Sequence, residues 1–143
     1  MSAILSNTTP ENFISLRTCS RCSTARNWAT TPMLAKSMEV IEAWGFEYRT
    51  CMVWDKLKIG MGYWARNRHE LLLICRRGHM PALKIGDQPH SVIRVPRGMH
   101  SVKPIEFYEI IEGAYPELPK IELFCRSPRK GWAVWGNQAG SAA

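Results

Sequence analysis

Leu71-Leu-Leu-Ile-Cys75 is the most constraining stretch of this chain: five apolar residues in a row, preceded by Glu70 and followed by Arg76-Arg77. A strand with one wet face alternates apolar and polar residues, so an unbroken run of this length suits a strand covered on both faces. It is far shorter than the roughly 18 apolar residues of a membrane span, and no other stretch is longer, so no membrane is expected. Phe46–Trp54, rich in aromatic and β-branched residues, reads as a second strand. Ser91–Val95, Ile121–Cys125 and Trp132–Trp135 read as three more. Helices are expected between them. Thr31-Pro32 supplies an N-cap and a first-turn proline, Leu34, Met38, Ile41 and Trp44 recur at helical spacing, and Gly45 stands where a terminating glycine belongs. Pro104 opens a second helix that runs to about Ala114. Leu57–Gly62, Gly78–Pro89 and Pro96–His100 are loops. Solid apolar strands alternating with helices predict an α/β fold with a mostly parallel sheet. In such sheets ligands sit beyond the carboxyl ends of the strands, which points to the loops after Trp54, Cys75, Val95, Cys125 and Trp135.

Residues 1–27 differ from the rest. Nine of them are Ser or Thr, and neither a twofold nor a 3.6-residue apolar period persists. They read as a disordered or replaced segment ahead of a domain over 28–143. The length of 143 residues allows one domain, and 45% hydrophobic with 22% charged residues is an ordinary globular balance. Met1–Thr9 lacks the basic start and apolar centre of a secretory signal, so a cytoplasmic protein is expected. The five cysteines, three of them inside apolar runs, fit a reducing compartment better than a disulfide framework. Cys19 and Cys22 form a lone C-x-x-C with no second pair, so no metal is expected.

Charge is concentrated. Arg49–Lys103 holds eleven Lys/Arg against Asp55, Glu70 and Asp87, while the remainder is about neutral. A basic block inside a folded domain points to a polyanion, and DNA or RNA is the commonest one. A solvated basic surface without a partner is the plainer alternative.

The richest chemistry lies in His100-Ser-Val-Lys-Pro, then Ile121-Glu-Leu-Phe-Cys-Arg126, then Gly131-Trp-Ala-Val-Trp-Gly-Asn-Gln138. A Lys just before a helix start makes a carboxylate or phosphate site with the helix N-terminus. An acid at a strand's carboxyl end can accept both hydrogen bonds of a ribose diol, and adjacent Asn and Gln amides suit sugar and base edges. Each has a plainer reading. Glu122 could cap a strand end, Lys103 could be solvated, and Trp132 and Trp135 are more simply core. Trp64, in a basic glycine-containing loop, is as readily a stacking surface as a loop filler. His100 reads as a loop residue and Ser101 as a helix cap.

These pieces, with Trp28-Ala-Thr-Thr-Pro-Met, Trp44-Gly-Phe, Trp54-Asp-Lys and Gly62-Tyr-Trp-x-x-Asn-x-x-Glu70 in the same order, resemble the adenine-N6 methyltransferase family named for the seventy-kilodalton subunit of the mRNA N6-adenosine methyltransferase. The resemblance covers Trp28–Gln138. It implies a Rossmann-like, S-adenosylmethionine-dependent fold and methyl transfer to the 6-amino group of adenine in DNA or RNA. Lys103 would hold the methionine carboxylate of the cofactor. Glu122, Leu123 and Arg126 would lie along its ribose, with Asn137 and Gln138 on ribose and adenine. Lys56, Trp64, Asn67 and Glu70 would border the substrate base and a partner methyltransferase-like subunit. The family also carries an acid-Pro-Pro-aromatic tetrapeptide that accepts hydrogen bonds from the adenine amine and stacks on the flipped base. This chain contains no Pro-Pro, and the segment 1–27 stands where that motif belongs. By this reading no catalytic residue is present and the fold is incomplete on its N-terminal side. A non-catalytic nucleic-acid-binding or partner subunit is the rival function.

Overall fold

A computed structural model describes residues 13–17, 21–99, 102–125 and 128–136. Seven strands form one sheet: β1 (Phe13–Arg17), β2 (Ser23–Ala29), β3 (Glu47–Asp55), β4 (His69–Arg77), β5 (Val92–Arg94), β6 (Lys120–Leu123) and β7 (Trp132–Trp135), in the spatial order β5-β3-β4-β2-β1-β6-β7. Two helices, α1 (Leu34–Ala43) and α2 (Ile105–Ala114), cover it. A 3-10 turn over Thr31–Met33 leads into α1, with Pro32 in its first turn and Thr30, one residue earlier than expected, at the cap position. Gly45, at φ +73°, turns the chain out of α1 in the left-handed region that a side chain disfavours.

The α/β expectation holds, but the sheet is mixed rather than mostly parallel. β1 pairs antiparallel with β2 and β6, and β4 pairs antiparallel with β2 and β3; only β3–β5 and β6–β7 are parallel. The apolar run misled because burial on both faces removes alternation whatever the direction of the neighbours. The pairings nonetheless make β2, β3, β5, β6 and β7 run the same way, against β1 and β4. Ala29, Asp55, Arg94, Leu123 and Trp135 therefore end at one edge, where β4 begins with His69 and Glu70. The loop after Cys75, expected beside the ligand, leaves from the opposite edge.

The reading of residues 1–27 as outside the core is also corrected for the part described. β2 runs through the expected boundary at Asn27–Trp28, and β1 and β2 occupy the sheet interior, with Ile14, Leu16, Ala25 and Trp28 buried. Strand pairing overrides a polar composition here.

The core has two layers. Beneath α1, Ile41 and Phe46 pack on Ala25, Ala29, Leu73 and Cys75. On the other face Phe107 of α2 packs with Trp28, Met52, Trp54 and Leu72, its ring edge-on to Trp28 at 4.9 Å between centroids. Ile111 continues that layer over Ile14, Leu16 and Trp132. Among the described residues no helix is long and apolar enough to cross a membrane.

Candidate functional site

The edge where five strands end brings three charged residues together beneath the start of α2. Glu70 opens β4 on the α2 face, opposite Trp54 of β3. Lys56 follows β3, and its Nζ donates to Glu70 Oε1. Lys103 stands two residues before α2 and donates from Nζ to Glu70 Oε2 at 2.6 Å. The Lys103 side chain is only 6% exposed, so the plainer alternative of a solvated lysine fails. Its ammonium lies 4.9 Å from the centre of the Trp28 ring, and that of Lys56 lies 5.2 Å from the Trp54 ring. Burial pushes the Glu70 carboxyl up, but Lys103 and then Lys56 outweigh it, holding its pKa below the usual 4.5. Among the described residues the cluster holds two ammonium groups and one carboxylate, next to a helix N-terminus.

On the other face of the same edge Asp55 is fixed by two hydrogen-bond donors and a more distant guanidinium. The Leu57 backbone N–H reaches Oδ1 at 3.0 Å, Arg68 reaches Oδ2 at 2.8 Å, and Arg94 lies at 3.8 Å. The Leu57 amide first, and Arg68 next, hold the Asp55 pKa below its usual 3.8. Leu57 and Phe124 both adopt φ +61°, a strained backbone for side-chain-bearing residues; Leu57 lies two residues past the end of β3 and Phe124 directly past that of β6. Asp55 belongs to the Trp54-Asp-Lys motif but was not among the expected site residues; an acid at the end of a strand, ahead of a basic loop, was the available signal.

Glu122 is a different case. It sits on β6 opposite Ile14, level with Arg26 and deeper in the sheet than Glu70, and accepts from the Tyr108 hydroxyl of α2 at 2.8 Å. β6 lies three strand spacings from β4, about 14 Å across the sheet. Glu122 is buried on the α2 face, and Leu123 packs toward the α1 layer. Arg126, Asn137, Gln138, His100, Ser101 and Cys19 lie outside the described residues. Trp64 and Asn67 lie on the β3–β4 loop; Trp64 is fully exposed and the Asn67 carbonyl accepts from Gly60 N–H. Trp132 is core as expected, but Trp135 is exposed on the sheet-edge strand β7, packed edge-on to Phe124. Among the described residues no group of three His, Cys, Asp or Glu could hold a metal.

The sequence model of the MT-A70 family matches residues 18–138, a span that takes in every strand from β2 to β7 and the whole lysine cluster. This chain belongs to that family. It is 36% identical over 110 residues to the type II methyltransferase M.MunI of Mycoplasma sp, covering 76% of this chain and 47% of that protein. It is 28% identical over 121 residues to the human N(6)-adenosine-methyltransferase catalytic subunit METTL3, covering 78% of this chain and 21% of the relative. An MT-A70-like N(6)-adenosine-methyltransferase of Drosophila melanogaster is 29% identical over the same length. The chain thus spans less than half the length of these relatives. The motif resemblance and the family match agree in extent, and the match begins ten residues earlier, at residue 18 rather than Trp28.

Proposed function

We propose that this MT-A70 domain serves methyl transfer from S-adenosylmethionine to the N6 amine of adenine in nucleic acid, on a Rossmann-like sheet. The observation that carries the reading is the buried Lys103–Glu70–Lys56 cluster beneath the start of α2. Two ammonium groups beside the α2 N-terminus suit a carboxylate, such as that of the cofactor's methionine end. Lys103 would hold that carboxylate while Glu70 keeps both ammonium groups aimed. Trp28 covers one side of Lys103 and excludes water there. The cofactor supplies an activated methyl group; positioning and electrostatics are left to the protein. By resemblance Glu122, which accepts from Tyr108, would lie along the ribose with Leu123 and Arg126, and Asn137 and Gln138 would contact ribose and adenine. Lys56, Trp64, Asn67 and Glu70 form the substrate side.

A second reading has its own support. β1 runs antiparallel to both neighbours, so its carboxyl end, Arg17, lies at the edge away from the cluster. No Pro-Pro follows any strand to accept from an adenine amine. The domain alone then binds cofactor or nucleic acid without turnover, and a second methyltransferase-like subunit supplies the acceptors.

Calorimetry with S-adenosylmethionine tests the cluster. Lys103→Ala should weaken binding by roughly 10- to 150-fold, the worth of one charge-assisted hydrogen bond. A labelled-methyl assay on adenine-containing RNA and DNA separates the readings: turnover by the purified chain supports the enzyme, and binding without turnover supports the partner subunit. Absence of cofactor binding at millimolar concentration would sink both as far as the cofactor is concerned.

A further inference from the structure

We propose that Asp55 is a positioning residue for the lysine cluster. From the opposite face of the sheet it staples together the three chain segments that deliver Lys56, Glu70 and Lys103. What the cluster binds rests on the cofactor reading above; the staple is built from contacts of this chain alone. Lys56 leaves the end of β3, Glu70 opens β4, and Lys103 lies farther along the chain from β5. In the sheet Asp55 stands opposite His69 of β4 on one side and Arg94 of β5 on the other, so all three segments pass beside it.

Each segment is tied to this one residue. Oδ1 accepts from the Leu57 N–H at 3.0 Å, just past Lys56. Oδ2 accepts from Arg68 at 2.8 Å, just ahead of His69 and Glu70. Arg94, at the end of β5, pairs with the same oxygen at 3.8 Å, and the Asp55 carbonyl accepts from the Val95 N–H at 3.1 Å. Trp54 adds a bond from Nε1 to the Val95 carbonyl at 2.7 Å, which fixes the start of the segment leading to Lys103. The bond to Leu57 also offsets the strain of its φ of +61°, in the turn from which Lys56 reaches Glu70.

The sheet itself gains little from an acid at this position. The Asp55 side chain is only 10% exposed, and Val53 and Val92 lie beside it on the same face. An apolar residue there would extend that patch without taking a charge out of water. The Arg68 and Arg94 side chains are 50% and 74% exposed, so their ion pairs add little stability, and both return to water if the acid is removed. What the acid supplies is direction. Lysine stems are long and flexible, and a site that holds an anion between two of them needs their roots fixed.

Two readouts separate this role from a merely structural one. Without any ligand, pulsed acetylation read by mass spectrometry reports how readily each amine opens to solvent, with exposed Lys36 as the internal reference. Asp55→Ala should raise labelling of Lys56 and Lys103 roughly 3- to 10-fold relative to Lys36, the opening that loss of about one hydrogen bond allows. Asp55→Asn, which keeps an acceptor for the Leu57 N–H, should raise it less. The thermal midpoint should move little in either variant. In calorimetry Asp55→Ala should weaken S-adenosylmethionine binding roughly 3- to 10-fold, but less than about twofold when Lys103 is already alanine, because the effect passes through that lysine. Unchanged labelling of Lys56 and Lys103 would overturn the proposal, and so would a rise shared equally by Lys36 with a fallen midpoint. Where Lys103→Ala itself weakens cofactor binding, an equal further loss from Asp55→Ala in both backgrounds would overturn it as well. If Lys103→Ala leaves cofactor affinity unchanged, the cofactor reading fails, and the labelling alone decides for or against the staple.

Discussion

β2 and β4 lie side by side in the middle of the sheet, paired from Ser23↔Arg77 to Ala29↔Leu71, and could hardly differ more in composition. β4 is filled by Leu71–Cys75, whereas β2 reads Ser-Thr-Ala-Arg-Asn-Trp-Ala, and every residue of β2 is buried. Position in a sheet is set by neighbours as well as by the strand's own hydrophobicity. The consequence shows in the hydrogen bonding. Thr24 reaches the Cys75 carbonyl at 2.8 Å, and Arg26 reaches Thr24 and lies over the Tyr115 ring. But Ser23 Oγ, Asn27 Oδ1 and Trp28 Nε1 are buried without a partner, three of the four such atoms among the described residues. β4 stabilises its position; β2 occupies one that its polar side chains oppose.

The largest effect that could break this contrast is at Trp28. If β2 belongs to the core, Trp28→Ala should cost about 3–5 kcal/mol in urea unfolding, comparable to Leu72→Ala across the pair at about 2–5 kcal/mol. A cost below about 1 kcal/mol would return β2 to the periphery. Next is Arg26→Met, which removes a buried guanidinium and keeps an unbranched stem. Stability should rise by about 1–3 kcal/mol, the desolvation cost relieved, and a fall of that size would show that Thr24 and Tyr115 satisfy the charge in full.

Acid should act on the β4 side and on α2, not on β2, which has no carboxyl. Arg129 and, beside it, Trp132 hold Glu112 at a pKa of about 2 against burial, and the lysines lower Glu70. A depressed folded pKa stabilises above the unfolded value near 4.5 and is lost as pH falls through the folded value. Unfolding free energy should therefore decline from about pH 4.5 toward about 2, with a shallower decline in Glu112→Gln and Glu70→Gln. A slope that neither variant changes would remove both carboxylates from the account. The smallest effect is Ser23→Ala, expected to stabilise by about 1 kcal/mol through loss of an unpartnered hydroxyl; a loss of stability would reveal a bonded hydroxyl.

The contrast also marks how far the sequence was legible. Both helices and the strands from β3 onward carry their own apolar period or run, and were read within a few residues. β1 and β2 carry neither, because what places them is pairing with β4 and β6. Strand direction was illegible for a related reason: a run covered on both faces looks alike in parallel and antiparallel company. Lys103, Glu70 and Lys56 were each singled out, yet for separate ends of the site. Their meeting depends on β4 entering the edge where β3 leaves, which no local pattern encodes. Asp55, held by Arg68 and Arg94, was overlooked on the same grounds.

One strand has a history that follows from its place. β1 is hydrogen-bonded on one side to β2, which follows it closely, and on the other to β6, whose Lys120 faces Leu16 from roughly a hundred residues later in the chain. On a ribosome adding about 5–20 residues per second, that second edge waits on the order of 5–20 s for its partner. Throughout that interval the nascent polypeptide displays an open ladder beside Ile14 and Leu16, a surface suited to chaperones and to pairing with another nascent chain. Synthesis has to reach β6 before β1 is shielded on both sides.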